Sequence, residues 1–180
     1  MTARDITLIG NPILSTKAAA VADPTTSEIR VLAADMIETM QTAGGIGIAA
    51  PQVNASLRLI VAMPIALREE WRDLPPVVLV NPALEPIGDE REDAIEGCLS
   101  FPGVRGIVPR WSKVAWRAQD LDGQPISGVA QGLFARVLQH EVDHLDGILF
   151  LSRMTDLTRL AMDSEAHHLT KTIGEVEDRT

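Results

Sequence analysis

The sequence predicts an α+β fold in which a few helices lie outside a mainly antiparallel set of strands. Two segments, about 26–43 and about 129–145, have the apolar spacing of helices that bury one face. Three short segments, 57–62, 77–80 and 114–118, are strand-like, and the last alternates with period two. Helices packed outside antiparallel strands make an α+β domain.

The first helix is predicted from about Thr26 to Ala43. A capping-box pattern over Thr25–Glu28 opens it, and Gly44 and Gly45 stop it. Four residues form its apolar stripe: Ile29, Leu32, Met36 and Met40.

The second helix is predicted from about Val129 to Leu145 and ends at Gly147. Before it, Asp122-Gly123 has the composition of a hairpin turn after the strand at 114–118. A third, C-terminal helix is predicted to begin near Asp156 and to include three apolar residues: Leu157, Leu160 and Ala161.

Composition bounds the class of protein. The 180 residues, 46% hydrophobic and 23% charged, are enough for a single soluble domain over 1–180. One cysteine excludes an intramolecular disulfide and favours a reducing compartment. The start lacks the pattern of a secretion signal, and no apolar run approaches a membrane span, so we expect a cytoplasmic protein without a membrane partner. The net charge of −9 argues against direct nucleic-acid binding.

The most informative segment runs from Gln139 to His144 and contains an HExxH element. His140 and His144 lie on one face of the predicted helix, close enough to bind a single metal ion. Glu141 lies about 100° around the helix, near a metal-bound water without being a ligand. A chance match on a polar helix surface is the alternative, but the pattern favours hydrolytic metal chemistry.

A catalytic site of this kind needs a third protein ligand. The one cysteine, Cys98, is a candidate because thiolate binds borderline metals well. Glu165, downstream in the chain, is the rival and would give a thermolysin-like ligand set. Spacing alone leaves both open.

A glycine-rich segment, 44–52, contains three glycines among small apolar residues and ends at Gln52. Such backbone can approach another group closely, although a tight turn at a helix end is an equal alternative.

Three motifs in order resemble those of the peptide deformylases. The family's G-x-G-[LI]-A-A-x-Q, E-G-C-L-S and Q-H-E-x-D-H-L-x-G stand here at Gly45–Gln52, Glu96–Ser100 and Gln139–Gly147. The resemblance covers about residues 5–152. It implies one peptide-deformylase-like catalytic domain over 1–180, with mainly antiparallel sheets around a central metal-binding helix.

The resemblance also implies the reaction, which is removal of the formyl group from the N-terminal formyl-methionine of newly made polypeptides. Three residues would hold the metal: Cys98, His140 and His144. A metal-bound hydroxide would attack the formyl carbon, with Glu141 as general base and then acid. The Gln52 side-chain amide and the Leu99 backbone N–H would stabilise the negative charge that develops on the formyl oxygen.

Residues near these motifs are candidates for substrate binding. Leu133 and Val137 continue the helix face of the two histidines towards the N-terminus of the helix. We predict a pocket for the methionine side chain lined by Ile46, Leu133 and Val137, with plain core packing as the alternative. Gly45 and Arg105 are predicted to contact the substrate main chain.

Two carboxylates are predicted to act through their neighbours. Glu96 would orient its surroundings through hydrogen bonds. Asp143 would anchor a ligand or pair with an arginine, and an ordinary solvated helix carboxylate is the alternative.

The resemblance favours Fe²⁺ as the cation, with Zn²⁺, Ni²⁺ and Co²⁺ as alternatives for one sulfur and two imidazoles. Formyl-methionyl nascent peptides are the expected partners. The tail carries Glu175, Glu177 and Asp178, so we expect weak ribosome contact. His167 and His168 are predicted to be solvated.

Two other functions stay open from the sequence. One is a thermolysin-like metallopeptidase, and the other is a non-catalytic paralogue that binds blocked N-termini.

Overall fold

The computed structural model describes residues 2–64 and 74–169. Within these ranges the chain forms two antiparallel sheets and two long helices, α1 (Ser27–Thr42) and α2 (Gly132–Leu145). The predicted α+β class and the antiparallel sheets are confirmed.

The larger sheet has five strands in the spatial order β1-β2-β3-β6-β7. Their bounds are β1 Gly47–Ala49, β2 Leu59–Ala62, β3 Val77–Pro86, β6 Lys113–Gln119 and β7 Pro125–Gln131. The last two strands form a hairpin around Gly123, whose φ of +75° lies in the left-handed region that glycine adopts readily. This confirms the predicted turn.

The smaller sheet has three strands in the order β4-β5-β8. Their bounds are β4 Arg91–Cys98, β5 Phe101–Trp111 and β8 Leu160–Met162. A two-residue turn at Leu99 and Ser100 joins the long strands β4 and β5, so the cysteine motif lies at the tip of this hairpin.

The two long helices contact opposite faces of β2, whose four residues are all buried. Leu59 and Val61 share one apolar cluster with the stripe of α1, while Ile60 and Ala62 share another with α2. Successive side chains of a strand point to opposite faces, which explains why β2 reads as a continuous apolar run.

Helix α2 lies between the two sheets. Its apolar side packs on the larger sheet, and Arg136 reaches the smaller sheet by donating a hydrogen bond to the Val108 carbonyl at 2.7 Å. The expected central position of the metal-binding helix is confirmed.

The starts of the two long helices differ from prediction. Thr26, not Thr25, caps α1, because its side chain accepts a hydrogen bond from the Ile29 N–H. Helix α2 begins at Gly132, since residues 129–131 pair with β6 as the end of β7.

The prediction of a C-terminal helix from Asp156 was wrong about where it begins. Leu157–Arg159 is a short 3₁₀ helix, and Leu160–Met162 is strand β8, which pairs with β5. Leu160 and Ala161 thus belong to an edge strand, and Leu157 is exposed. The α-helical residues described after β8 are 167–169.

The acidic tail residues Glu175, Glu177 and Asp178 lie outside the described residues. Among the residues that are described, no helix is both long enough and apolar enough to cross a membrane.

Candidate metal centre and active-site cavity

The β4–β5 hairpin brings Cys98 to helix α2. The strands pair regularly as far as Gly97 opposite Arg105, and then the register shifts so that Cys98 lies opposite Phe101. This irregularity at the end of the hairpin turns the thiol towards the helix, where Cys98 Sγ lies 3.2 Å from His144 Nε2.

Helix α2 supplies the two imidazoles. The ring centroids of His140 and His144 lie 5.1 Å apart, as expected for side chains four residues apart on one helical face. Cys98, His140 and His144 each offer one ligand atom, and these atoms all lie within 4.8 Å of one another. Donors bound at about 2.0–2.3 Å to one cation lie about 3–4 Å apart, so this donor set fits a single divalent metal ion.

The alternative ligand Glu165 does not join this cluster. It lies instead in an exposed group with His167 and His168, at 3.5 Å from His168. Within the described part of the chain, the thermolysin-like ligand set is therefore not assembled.

Glu96 orients the first histidine. Its Oε2 lies 2.9 Å from His140 Nδ1, which leaves Nε2 of that ring for the metal site. Arg110 donates two hydrogen bonds to the same carboxylate at 2.9 and 3.0 Å, and Arg136 donates a third at 2.9 Å. Burial raises the pKa of Glu96, but the hydrogen bonds from His140 and Arg110 outweigh it and lower the pKa to about 2.

Asp143 extends this network on the other side of Arg110. Its carboxylate accepts a hydrogen bond from Arg110 at 2.5 Å and two from Arg153 at 2.6 and 3.1 Å. Asp143 is buried, so it is one of a chain of paired charges behind the metal ligands and not a solvated helix carboxylate. Arg110 thereby connects Asp143 on α2 to Glu96, and through Glu96 to His140.

Burial alone would lower the pKa of both histidines, but their other neighbours move the two pKa values in opposite directions. For His144 the nearby positive charges of His140 and Arg110 act in the same direction, and the pKa falls to about 3, so this imidazole is neutral. For His140 the contacts with Cys98 and Glu96 outweigh burial and raise the pKa to about 10. A cation must therefore compete with a proton at His140, which makes metal affinity depend on pH.

Glu141 is a buried carboxylate beside the metal ligands. Burial raises its pKa to about 7. Its Oε2 is buried and has no hydrogen-bond partner among the described residues. A carboxylate with a pKa near neutrality can both accept and return a proton.

The glycine-rich segment makes room for this carboxylate. A Cβ placed on Gly47 would lie 2.9 Å from Glu141 Cδ and 2.9 Å from Val137 Cγ1, closer than real side chains approach. The close approach anticipated from the glycines is thus made between β1 and α2.

Gln52 faces the site from the short 3₁₀ helix Ala50–Val53, which follows β1. Its Oε1 accepts a hydrogen bond from the Ala49 N–H at 2.8 Å, which orients the amide. Its Nε2 donates to Ser100 Oγ at 3.1 Å and lies 3.7 Å from Cys98 Sγ. The amide N–H groups are therefore directed at the cysteine and at the turn that contains Leu99.

A cavity of about 610 Å³ opens onto these groups. All five predicted substrate-binding residues lie on its wall: Gly45, Ile46, Arg105, Leu133 and Val137. Val137 is buried deep in it, whereas Ile46 and Leu133 are about two-fifths exposed. The apolar face of α2 therefore leads from the opening of the cavity to the metal ligands.

Comparison with known proteins identifies the family. A sequence profile described as polypeptide deformylase matches residues 3–160. The chain belongs to this family. The predicted activity class is thereby confirmed: this deformylase is a metal-dependent hydrolase that removes N-formyl groups, and it has the Cys-His-His metal site.

Individual relatives agree. The chain is 47% identical over 155 residues to the peptide deformylase of Dictyoglomus thermophilum, covering 86% of this chain and 95% of that one. It is 45% identical over 154 residues to peptide deformylase 1 of Bordetella pertussis, covering 84% and 87%. It also resembles the Met-Ala-Ser-bound crystal structure of the class I type b peptide deformylase from Acinetobacter baumannii. That match has a TM-score of 0.77 at 38% identity, covering 85% of this chain and 99% of that one.

Sequence reasoning did not single out the residues that hold the deformylase site in shape. Arg110 and Arg136 satisfy Glu96, and Ser100 accepts the Gln52 amide. Ser100 is the last residue of the motif Glu96–Ser100, whereas Arg110 lies between the motifs. For Arg136 the signal is a basic residue between the apolar Ala135 and Val137, both of which are buried.

Proposed function

We propose that this deformylase acts on the N-terminal formyl-methionine of newly made polypeptides, with residues 1–180 as one catalytic domain in the cytoplasm. The observation that carries the proposal is the position of the buried Glu141 beside the Cys98, His140 and His144 donors, at the inner end of a cavity with an apolar wall. A product-like peptide, Met-Ala-Ser, is bound by the Acinetobacter baumannii relative, which supports a peptide beginning with methionine as the occupant.

Cys98, His140 and His144 would hold one divalent cation, which we infer to be Fe²⁺, with Zn²⁺, Ni²⁺ or Co²⁺ as substitutes. When bound, such a cation supplies Lewis-acid chemistry and lowers the pKa of water towards neutrality. Glu96 keeps the His140 ring oriented, and Arg110 and Arg136 keep Glu96 ionised in a buried place.

Glu141 would carry the proton. Its carboxylate accepts the proton of the attacking water and then gives it to the departing amine of methionine, one group acting as base and then as acid. Its burial and its pKa of about 7 support both steps at neutral pH, because neither protonation state is strongly disfavoured.

Gln52 and Leu99 would stabilise the formyl oxygen as it gains negative charge. The Gln52 amide is oriented by the Ala49 N–H and lies beside the cysteine, and the Leu99 N–H belongs to the turn that follows Cys98. Losing one such donor raises the barrier by about 3 kcal/mol. Because Leu99 acts through its main chain, Leu99→Ala should impair catalysis less than Gln52→Ala.

The methionine side chain would lie against Ile46, Leu133 and Val137, which line the cavity. Gly45 and Arg105, on the same wall, would contact the substrate main chain. Ribosome contact through the acidic tail would be weak, and deleting the residues after Ile173 would change ribosome binding little.

Formate release from formyl-Met-Ala-Ser-amide, measured anaerobically with Fe²⁺-loaded protein, tests the proposal. We expect rapid release that Glu141→Gln lowers by about 10²–10⁴-fold in kcat with metal content retained. Cys98→Ser should lose metal, whereas Glu165→Gln serves as the matched control and should leave both metal and activity unchanged.

The two other functions give opposite results in the same experiment. A metallopeptidase of the thermolysin type would tolerate Cys98→Ser, fail with Glu165→Gln and cleave unblocked peptides. A non-catalytic paralogue would bind the formylated peptide with metal present and release no formate.

A further inference from the structure

An ion pair lies at the opening of the active-site cavity. Arg105 Nε donates to Asp163 Oδ1 at 2.5 Å, and the two side chains are 44% and 48% exposed. Both residues line the cavity. The other charged side chains on the described cavity wall are buried: Glu96, Arg136, His140 and Glu141. Arg105 and Asp163, here called the mouth pair, are therefore the charges that a substrate chain meets as it leaves the methionine pocket.

The fold fixes both members of the mouth pair. Strand β8 pairs with β5 so that Ala161 lies opposite Arg105, and the 3₁₀ turn Asp163–Glu165 follows directly. On the other side of β5, Gly97 lies opposite Arg105, and a Cβ added there would overlap the guanidinium. The guanidinium thus lies against the backbone next to Cys98, with the Asp163 carboxylate beside it.

The mouth pair has no net charge but keeps hydrogen-bonding groups of both kinds. An unpaired arginine there would attract acidic substrate residues and repel basic ones. With Asp163 in place, the guanidinium can still donate to a substrate carbonyl, while its charge is offset by the neighbouring carboxylate.

We propose that Asp163 is a specificity-determining residue, which offsets the charge of Arg105 so that acidic, neutral and basic residues after methionine are accepted with similar efficiency. This inference rests on the proposed action on formyl-methionyl peptides. It assigns to the segment after β8 a part in substrate selection.

The test uses two pairs of peptides. In the first pair the charged residue is third, in formyl-Met-Ala-Glu-amide and formyl-Met-Ala-Lys-amide. In the second pair it is second, in formyl-Met-Glu-Ala-amide and formyl-Met-Lys-Ala-amide. The C-terminal amide removes the terminal carboxylate. For each pair the measured quantity is the ratio of kcat/KM for the Glu peptide to that for the Lys peptide, in wild type and Asp163→Asn.

We expect a wild-type ratio within about threefold of one and a rise of about five- to tenfold in Asp163→Asn for at least one position, since charges several ångströms apart at a partly solvated site interact by this amount. The rise should appear in KM and not in kcat. It should shrink at high salt, because screening weakens interactions between exposed charges.

Two further variants separate charge compensation from anchoring of the segment. Asp163→Glu should restore the wild-type ratio. Asp93→Asn breaks the ion pair of Arg159 with Asp93 at 2.5 Å, which joins the residue just before β8 to β4 and lies outside the described cavity wall. It should leave the ratio unchanged. An equal shift in Asp93→Asn and Asp163→Asn, or an unchanged ratio in Asp163→Asn at both positions, would overturn the proposal.

Product binding distinguishes failure of this inference from failure of the proposed function. The dissociation constants of Met-Ala-Glu-amide and Met-Ala-Lys-amide, measured by calorimetry, should show the same shift in Asp163→Asn without any turnover. Absence of formate from every peptide would refute the proposed function, while the calorimetric ratio would still decide the role of Asp163.

Discussion

Replacing Gly47 by alanine tests how tightly the Glu141 carboxylate is positioned. A methyl group on Gly47 would lie 2.9 Å from both Glu141 Cδ and Val137 Cγ1, and ordinary contacts of this kind begin near 3.4 Å. The new Cβ therefore overlaps these two carbons by about 0.5 Å and Glu141 Oε1 by more, and β1 is buried, so it cannot move aside freely. Glu141 has to shift instead.

The size of the effect follows from the sensitivity of catalysis to geometry. A displacement of about 1 Å costs on the order of 10²-fold in rate, so we expect kcat to fall by about 10- to 100-fold in Gly47→Ala. The KM for formyl-Met-Ala-Ser-amide should change less, and the three metal ligands are not displaced by the overlap. The assay is formate release together with metal content per chain.

Gly128→Ala is a matched control for crowding in a strand. A Cβ there would lie 2.8 Å from Trp116 Cζ2, a comparable overlap between β7 and β6 outside the described wall of the active-site cavity. It should lower thermal stability and leave kcat unchanged. A fully metal-loaded Gly47→Ala protein with wild-type kcat would refute the conclusion that Gly47 positions Glu141.

Three other perturbations have defined outcomes. Glu96→Gln removes a buried charge from two arginines, so urea denaturation should show a loss of about 3–5 kcal/mol, and zinc titration should show about 10- to 100-fold weaker binding. Val137→Asp should sharply raise KM for formyl-Met peptides with metal content intact; unchanged kinetics would contradict the methionine pocket. Hydrogen bonds from the Thr2 N–H and then Arg4 lower the pKa of Asp35, so its stabilisation is present above about pH 4 and is lost as the pH falls further. The protection factors of the amides in residues 2–9, which correct hydrogen exchange for its intrinsic pH dependence, should fall at acid pH, and in Asp35→Asn already at neutral pH.

The two histidine ligands could be predicted because their spacing in the sequence matches one face of a helix. His140 and His144 are four residues apart on one helix, so helical geometry alone places their rings together. Cys98 could not be placed this way. Its approach to α2 depends on the register shift at the end of the β4–β5 hairpin, which no periodicity records, and only the family resemblance favoured it over Glu165.

Burial explains the elements that prediction missed. Strands β4 and β5 carry charged residues that pair with buried partners, such as Glu96 with Arg110, so their apolar alternation is interrupted. The three residues of strand β8 satisfy either periodicity, so the sequence predicts a helix there, and pairing with β5 makes them a strand. Gly132 begins α2 with a φ of +59°, so the backbone turns there. The residues 129–131 continue the apolar pattern of the helix, and the pattern therefore predicts a start that is too early.

The metal ligands come from two separate parts of the chain with different secondary structure. Cys98 lies on a hairpin and His144 on a helix, 46 residues further along the sequence. A cation that binds only when both parts are in place adds RT ln(1 + [M]/Kd) to the free energy of unfolding, about 4 kcal/mol when free metal is 1,000-fold above Kd. Chelation would then shorten the lifetime of the folded enzyme as well as stop turnover. The abundance of active protein in a cell would accordingly follow the supply of metal.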